Sequence, residues 1–323
     1  MSKEIPGRIL KADTGGGAVA VPGRETMAQE RVRAQARTSL WRRFLSQLPV
    51  IVIYVYLVLM TIFALFPMYY VIQASLAGDQ NLYATSLQLF PANPTFSNYV
   101  YAFTQEPVFN WLLNTTFVCA LSTLIGVLFS MTGAYALSRF RFRGREASLS
   151  FLLALQAFPG LLAITAYYYL LQYLNLLNTA PLVGLALIYA SGSLVFGTWN
   201  MKGYFDTLPV ELEQAAMIDG ATMEQAFWRI TLPLAAPAIV SSALFMFVGS
   251  YTEFALANFV LNANSNGSNL TFILGLNALQ GTYTTPWGYF AATSVIISIP
   301  LMALFLYARR FFQSGLTVGG VKG

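Results

Sequence analysis

The sequence lacks histidine and contains a single cysteine among its 323 residues. Without histidine, the chain has neither the commonest metal ligand nor the commonest general base near neutral pH. Cys119 cannot form an internal disulfide, and it lies in an apolar run where we expect a small packed side chain. We therefore expect no catalytic residues and no metal site in this chain.

Charged residues are also scarce, at 10% of the chain, whereas hydrophobic residues make up 56%. About a quarter of the residues in an ordinary soluble domain are charged, so this composition indicates a membrane protein. The chain also lacks the G-x-x-x-x-G-K-[ST] loop that cradles nucleotide phosphates. It is therefore not expected to hydrolyse ATP by itself.

Six apolar runs are long enough to cross a bilayer as helices, which takes about 20 residues. The predicted spans are Pro49–Gln73, Trp111–Leu137, Leu149–Leu174, Leu182–Met201, Ala238–Phe259 and Trp287–Phe312. With the N-terminus inside, all lysines and arginines fall on the cytoplasmic side, as the positive-inside rule requires. We therefore predict an all-α membrane protein with six transmembrane helices and cytoplasmic N- and C-termini.

The predicted transmembrane domain, residues 48–312, is flanked by two cytoplasmic tails, residues 1–47 and 313–323. The first tail is rich in glycine and charge up to about Glu25, which is typical of disorder. Residues Met27–Leu48 then mix apolar side chains with arginines. This pattern fits either an amphipathic helix on an anionic membrane surface or a solvated basic tail.

A polar segment with more carboxylates than basic groups, Asp206–Pro237, separates the fourth and fifth predicted spans. We call it the acidic connector, because the other predicted cytoplasmic segments are basic. Ala215 and Ala216 would let another surface approach its backbone closely. The acidic connector therefore fits docking to a basic, grooved partner. A solvated link between membrane helices is the alternative, and periodicity does not distinguish the two.

The acidic connector is predicted to contain two short helices joined by a turn. Asp219 and Gly220 would end the first helix, since glycine permits a tight turn. Thr222 and Gln225 have the spacing of a capping box, which marks the start of the second helix. Pro233 would stop that helix.

An ordered set of positions in the acidic connector carries a resemblance to a known family. The positions are Glu213, Gln214, Ala215, Ala216, Asp219, Gly220, Ala221, Ile230, Leu232, Pro233 and Pro237. Together they resemble the EAA loop of ABC-transporter permeases. Over residues 49–323 the chain is similar to the MalG-like permease subunit of maltose/maltodextrin-type importers, including the run AYALSRFRFRGR after the second predicted span.

The resemblance implies a MetI-like ABC importer permease of the bacterial cytoplasmic (inner) membrane, transporting maltose, maltodextrin or a related oligosaccharide. It implies three kinds of partner: a MalF-like second permease, a MalK-like cytosolic ATPase dimer and a MalE-like extracytoplasmic solute-binding protein. ATP and Mg²⁺ would belong to the ATPase, whereas this chain would bind no cofactor and would be a transport subunit rather than an enzyme. The acidic connector would insert into a cleft on the ATPase.

One position departs from the family motif, because the glutamate that opens it is Gln214 here, with Glu213 beside it. An ion pair to an ATPase arginine at this position would become a neutral hydrogen bond. Glu213 or a partner subunit is the alternative source of the charge.

Three polar residues of the fifth predicted span, Tyr251, Glu253 and Asn258, are candidates for lining a transport pathway. Glu253 is the one carboxylate placed within a predicted span, and an interhelical hydrogen bond or a position at the outer interface is the alternative. One such group is little support for a proton relay. An ion-driven secondary carrier or channel, and a membrane scaffold or enzyme, are therefore the less favoured functions.

The loop Leu261–Pro286 carries no charge and is rich in asparagine and glycine. In the family it resembles, the corresponding loop reaches into the docked solute-binding protein, and an ordinary flexible turn is the alternative. The candidate contact residues are Asn264, Asn266, Gly267 and Asn269.

Overall fold

The described part of the chain is helical almost throughout. The structure, a computed structural model, describes residues 24–78, 90–91, 93–262, 269–281 and 285–318. Within these residues no β-strand forms, and one isolated bridge joins Ala77 to Pro94. Helices pair backbone N–H and C=O groups within a single segment, as an apolar chain in lipid requires. The prediction of an all-α protein is confirmed.

The helices are numbered in chain order along the described residues. They are α1 (Arg24–Ser75), α2 (Ser97–Thr104), α3 (Val108–Arg139), α4 (Arg145–Ala157), α5 (Ile164–Tyr173), α6 (Leu176–Thr179), α7 (Pro181–Phe205), α8 (Glu211–Ile218), α9 (Met223–Ala226), α10 (Leu232–Leu234), α11 (Ala236–Thr252), α12 (Ala255–Asn262), α13 (Phe272–Ala278) and α14 (Trp287–Val318). A 3-10 helix, Gly160–Ala163, precedes α5, and a π-helix, Phe227–Thr231, follows α9.

The chain divides into two compact units, residues 1–67 and 68–323. The first unit is helical from Arg24, and the predicted amphipathic segment Met27–Leu48 continues as helix into the first predicted span. Its position on a membrane surface stays a prediction. The second unit contains helices α2 to α14. Residues 1–23 and the end of the C-terminal tail lie outside the described residues.

Four described helices are long and apolar enough to cross a membrane. They are Gln47–Ser75, Val108–Arg139, Pro181–Phe205 and Trp287–Phe311. A fifth candidate is the pair Met223–Leu234 and Ala236–Thr252, which is bent by 72°. The described residues thus contain four or five candidate spans, where six single helices were predicted.

The third predicted span, Leu149–Leu174, is not one helix. Helix α4 ends at Ala157, and Phe158 takes an extended conformation with ψ of 127°. Proline disfavours the helical conformation of the residue before it and has no N–H to donate, so Pro159 ends the helix. The apolar run then resumes as the 3-10 turn and α5. High hydropathy on both sides of Pro159 concealed this break in the sequence.

The fifth predicted span, Ala238–Phe259, is also interrupted, between α11 and α12. At the break Glu253 is extended, and its carboxylate accepts hydrogen bonds from the N–H groups of Leu256 at 2.9 Å and Ala257 at 3.1 Å. The hydroxyl of Tyr189 on α7 donates to the same carboxylate at 2.7 Å. Glu253 therefore pairs the free N–H groups at the start of α12, as a capping side chain does.

Helices α3, α7 and α11 pack together through small and polar side chains. Gly197 on α7 faces Ser130 on α3 and Met246 on α11, and an added Cβ would lie 2.9 Å from Ser130 Cβ. Ser130 Oγ also donates to the carbonyl of Leu194 on α7 at 3.2 Å. Asn200 Nδ2 on α7 donates to a serine hydroxyl on α11 at 2.7 Å. Close approach of backbones and interhelical hydrogen bonds are the usual means of helix association in membranes.

Buried polar side chains also fix the segments outside the helix bundle. Asn98 Nδ2 on α2 donates to the carbonyls of Ser75 at 3.0 Å and Ala77 at 2.8 Å. The hydroxyl of Thr115 on α3 accepts from the N–H of Phe272 at 2.7 Å, where α13 begins. These bonds hold the end of α1 and the residues after it against α2, and the start of α13 against α3.

Gly197→Ala tests the close packing of α3, α7 and α11. The added methyl group would overpack the contact with Ser130, so we expect the free energy of unfolding to fall by about 1–3 kcal/mol. Gly203→Ala on the same helix is the control, because its Cβ would meet nothing within 4 Å. Thermal unfolding in detergent measures both variants. A Gly197→Ala variant as stable as the control would contradict the packing.

Glu253→Ala tests the break between α11 and α12. The change leaves two backbone N–H groups and the Tyr189 hydroxyl without their acceptor, so unfolding should become easier by about 1–3 kcal/mol. Tyr189→Phe removes one hydrogen bond and keeps the backbone bonds, so its effect should be smaller. Thermal unfolding in detergent ranks the two variants, and the reverse order would count against the capping role of Glu253.

Candidate functional site

The first of the two short helices in the acidic connector is α8, and a turn at Gly220 ends it. Gly220 has φ of +94°, in the left-handed region that favours glycine. The N–H of Ala221 donates to the carbonyl of Ala216 at 2.9 Å, and the N–H of Gly220 donates to the carbonyl of Met217 at 3.1 Å. This pair of bonds is a Schellman motif, which satisfies the last carbonyls of the helix. The predicted turn at Asp219 and Gly220 is confirmed.

The second helix of the acidic connector starts with the predicted capping box. The N–H of Gln225 donates to Thr222 Oγ1 at 3.2 Å, and the N–H of Thr222 donates to Gln225 Oε1 at 2.9 Å. Two backbone donors at the start of the helix are thereby satisfied. The sequence spacing was sufficient to find this feature.

The prediction that Pro233 stops this helix is wrong. The backbone continues through the π-helix Phe227–Thr231 and α10, and the bend comes at Ala235. Pro233 occupies the first turn of α10, where a missing N–H is tolerated. The wider π turn directly before it accommodates the proline without ending the helical path.

Glu213 points into the protein and not toward the exposed surface of the acidic connector. Its carboxylate lies 2.8 Å from Arg139 Nε, and the two side chains are 7% and 6% exposed. The hydroxyl of Tyr135 donates to the other carboxylate oxygen at 2.9 Å. Arg139 Nη2 also donates to the carbonyl of Leu208 at 3.1 Å. We call this group of contacts the Arg139–Glu213 tie.

A second contact between α3 and the acidic connector lies nearer the surface. Ser138 Oγ donates to Asp206 at 2.6 Å, and Lys202 Nζ pairs with the other oxygen of the same carboxylate. Burial by itself would raise the pKa of Asp206. The hydrogen bonds from Lys202 and Ser138 and the positive charges of Lys202 and Arg145 outweigh burial, so the pKa lies below its ordinary value.

The motif residues of the acidic connector are divided between an inner and an outer face. Glu213 is buried, and Ala216, Ala221 and Leu232 are half-buried. The exposed motif residues are Gln214, Ala215, Asp219, Gly220 and Pro233. Gln214 therefore stands at the surface while the neighbouring glutamate is engaged inside.

Large apolar side chains share the outer face with these residues, and Ile218 is 86% exposed. The exposed apolar residues of the two helices and the adjoining turn are Leu212, Met217, Ile218, Met223 and Trp228. Clustered exposed apolar side chains next to a polar surface mark interaction sites. We call this outer surface, with Gln214 and Ala215, the connector face.

A cavity of about 330 Å³ lies among α5, α7 and α11. Its wall is mainly apolar, with Phe196 and Phe245, and Ser193, Ser250 and Glu253 also border it. Of the three residues predicted to line a pathway, Glu253 alone is in this wall. Tyr251 is buried and donates to the carbonyl of Ile297 at 2.8 Å, and Asn258 is half-buried on α12.

The candidate contact loop after α12 is described only in part. Asn264, Asn266 and Gly267 lie outside the described residues. Asn269 is half-buried beside the segment that leads to α13. The role of these four residues in contacting a binding protein stays a prediction.

The Arg139–Glu213 tie is the feature that the sequence did not predict. Arg139 and Glu213 are 74 residues apart, and Arg139 was interpreted as one of the basic residues that set membrane orientation. Helical periodicity reports which face of one helix is apolar, and it carries no information on pairing between distant segments. The one local signal was that AYALSRFRFRGR places Tyr135 and Arg139 four residues apart, on one side of a helix.

The chain matches the family described as "Binding-protein-dependent transport system inner membrane component" over residues 122–317. The sulfoquinovosyl glycerol transport system permease protein SmoH of Agrobacterium fabrum is 34% identical over 259 residues, which are 80% of this chain and 89% of that protein. The galactooligosaccharides transport system permease protein GanQ of Bacillus subtilis is 34% identical over 276 residues, 84% of this chain and 94% of that protein.

The maltose/maltodextrin transport system permease protein MalG of Vibrio vulnificus is 37% identical over 221 residues, which are 67% of this chain and 73% of that protein. A crystal structure of a bacterial ABC transporter involved in the import of the acidic polysaccharide alginate contains a chain of the same fold. That chain has a TM-score of 0.68 and 22% identity, over 81% of this chain and 95% of its own length.

The family match and these relatives confirm the resemblance to sugar ABC permeases that the connector motif carried. The family match runs from within α3 to within α14, and it includes the Arg139–Glu213 tie and the connector face. The chain therefore belongs to the binding-protein-dependent transport system inner membrane components, the permease subunits of ABC transporters in which a separate subunit hydrolyses ATP.

Proposed function

We propose that this permease is a pathway-forming subunit of an oligosaccharide importer, and that its connector face docks onto the separate ATPase. The connector face is the observation that carries the proposal. It exposes Ile218, Met223 and other apolar side chains beside small residues, on a segment that projects from the bundle between α7 and α11. A cytoplasmic surface of this kind is stabilised when a partner covers it.

The docking contact would be mainly apolar and neutral. Gln214 stands at the surface where the family motif has a glutamate, and Glu213 is held inside by Arg139. Of the two alternatives for this position, the neutral hydrogen bond from Gln214 is therefore favoured over a charge supplied by Glu213. Glu211, Asp219 and Glu224 remain exposed around the connector face and would favour a basic rim on the ATPase.

The acidic connector would transmit the motion of the ATPase to the bundle as a rigid lever. The Schellman motif at Gly220 and the capping box at Thr222 fix the angle between its two helices. ATP, with Mg²⁺, would be bound and hydrolysed in a MalK-like ATPase dimer. Closure of that dimer would move the lever and switch the pathway between inward- and outward-facing states, without covalent chemistry in this chain.

The substrate class follows from the relatives, whose names specify sulfoquinovosyl glycerol, galactooligosaccharides and maltose or maltodextrin. We propose an oligosaccharide of the maltodextrin type or a related sugar. The pathway would be shared with a MalF-like second permease and supplied by a MalE-like binding protein. The cavity bordered by Ser193, Ser250 and Glu253 is the candidate contribution of this chain to the pathway wall.

The full topology would comprise six membrane crossings with both termini in the cytoplasm. The four continuous spans account for four crossings, and α11, the second half of the bent pair, would make the fifth together with α12. Helices α4 and α5, broken at Pro159, would together make the sixth, because α4 is apolar in most positions and none of its residues is buried. This arrangement would put the acidic connector on the same, cytoplasmic side as the turn after α3, which contains Arg141, Arg143 and Arg145.

Gly220→Val tests the lever. A β-branched residue at φ of +94° costs about 1–3 kcal/mol in backbone strain, so the turn should deform. We expect sugar import per ATP hydrolysed to fall several-fold in proteoliposomes containing the complete transporter. Gly144→Val is the matched control, since Gly144 has φ of +96° in a turn outside the acidic connector. Import by Gly220→Val at the efficiency of the control would contradict the lever.

Cysteine labelling tests the topology. Cys119 is the single native cysteine and is buried, so it should react little. A membrane-impermeant maleimide added to intact cells should label Asn93→Cys, whereas Gln225→Cys should react only after the membrane is opened. Labelling of both positions from the same side would exclude the proposed orientation.

A further inference from the structure

The Arg139–Glu213 tie joins the end of α3 to the first turn of helix α8 and to the segment just before it. Arg139 Nε pairs with Glu213 within α8, and Nη2 binds the carbonyl of Leu208 just before α8. Tyr135, one turn earlier on α3, donates to the second oxygen of the Glu213 carboxylate. One guanidinium and one hydroxyl therefore fix the position and the orientation of α8 relative to α3.

Aromatic contacts extend the same junction to both sides of helix α8. The ring of Tyr135 lies 6.0 Å from Phe205, at the end of α7, and 4.5 Å from Phe227, at the start of the π-helix. Phe205 directly precedes the acidic connector, and Phe227 lies within it, after α8 and α9. Tyr135 thus contacts the residue before the connector, helix α8 and the start of the π-helix.

Stability alone does not account for a buried ion pair at this junction. Two charges lose their hydration when they are buried, and apolar residues of similar volume often stabilise a fold as well or better. A guanidinium with fixed donor directions does supply a constraint on geometry, which apolar packing supplies poorly. The Arg139–Glu213 tie is therefore better suited to holding two elements in one orientation than to increasing the free energy of unfolding.

We propose that Arg139, Glu213 and Tyr135 are positioning residues that make the end of α3 move as one body with the acidic connector. This inference rests on the proposed docking of the connector face to an ATPase. The connector is covalently attached only to α7 and α11. The tie adds α3 as a third helix that receives its motion directly, so a push on the connector face turns three packed helices together.

The test uses the complete transporter in proteoliposomes, with Glu213→Gln and Arg139→Gln as single variants. Retention of the ATPase subunit on purification reports docking, and sugar imported per ATP hydrolysed reports coupling. We expect retention to stay at the wild-type level and import per ATP to fall about tenfold, a typical size for a coupling energy between two sites. The combined reversal R139E with E213R should recover import per ATP above either single variant.

Arg143→Gln is the matched control, because it removes an exposed arginine from the turn after α3 and lies outside the tie. Its import per ATP should match the wild type. Tyr135→Phe removes a single hydroxyl and is the milder variant if the charge variants do not fold. It should lower import per ATP while leaving ATPase retention unchanged.

The outcomes separate this inference from the proposed function. Wild-type import per ATP in folded Glu213→Gln and Tyr135→Phe variants would overturn the positioning role. Loss of the ATPase from Glu213→Gln, but not from Arg143→Gln, would instead make Glu213 part of the docking contact and would also overturn the positioning role. Failure of the wild-type chain to retain any ATPase would refute the proposed docking itself.

Discussion

Backbone hydrogen bonding in lipid is the constraint on which the rest of this structure depends. A segment inside a membrane must pair its own N–H and C=O groups, so each interruption of a helix needs a substitute partner. Between α11 and α12 that partner is the carboxylate of Glu253, which accepts hydrogen bonds from two backbone N–H groups and from the Tyr189 hydroxyl. An acid in an apolar span thus has a role in the fold.

The helix ends of the acidic connector are also paired, but by contacts of a different kind. Its backbone ends are closed by local motifs, the Schellman turn at Gly220 and the capping box at Thr222. Its one buried acid, Glu213, pairs with Arg139, whereas the connector face exposes apolar side chains beside Gln214, with exposed carboxylates around them. Inner polar contacts therefore fix the shape of the segment, and the outer surface is free for a partner.

Sequence reasoning succeeded where the physical cause lies within a few residues. Gly220, Thr222 and Gln225 act on their immediate neighbours, so their spacing predicts the turn and the cap. It failed at Pro159, where hydropathy was given more weight than the proline within the run. The sequence did not predict that the Glu213 side chain points into the protein. That orientation depends on Arg139 in a distant segment and on the packing that brings α3 to α8.

The π-helix Phe227–Thr231 ties the direction of the connector face to the length of the chain. A π turn holds about one residue more than an α turn, and each residue of an α-helix turns the chain by about 100°. Losing one residue from this stretch would let it close into an α-helix and rotate α8 and α9 about the axis of the segment that leads to α11. The direction of the connector face therefore depends on the number of residues in the π-helix, so a deletion that a loop would tolerate would turn the face here.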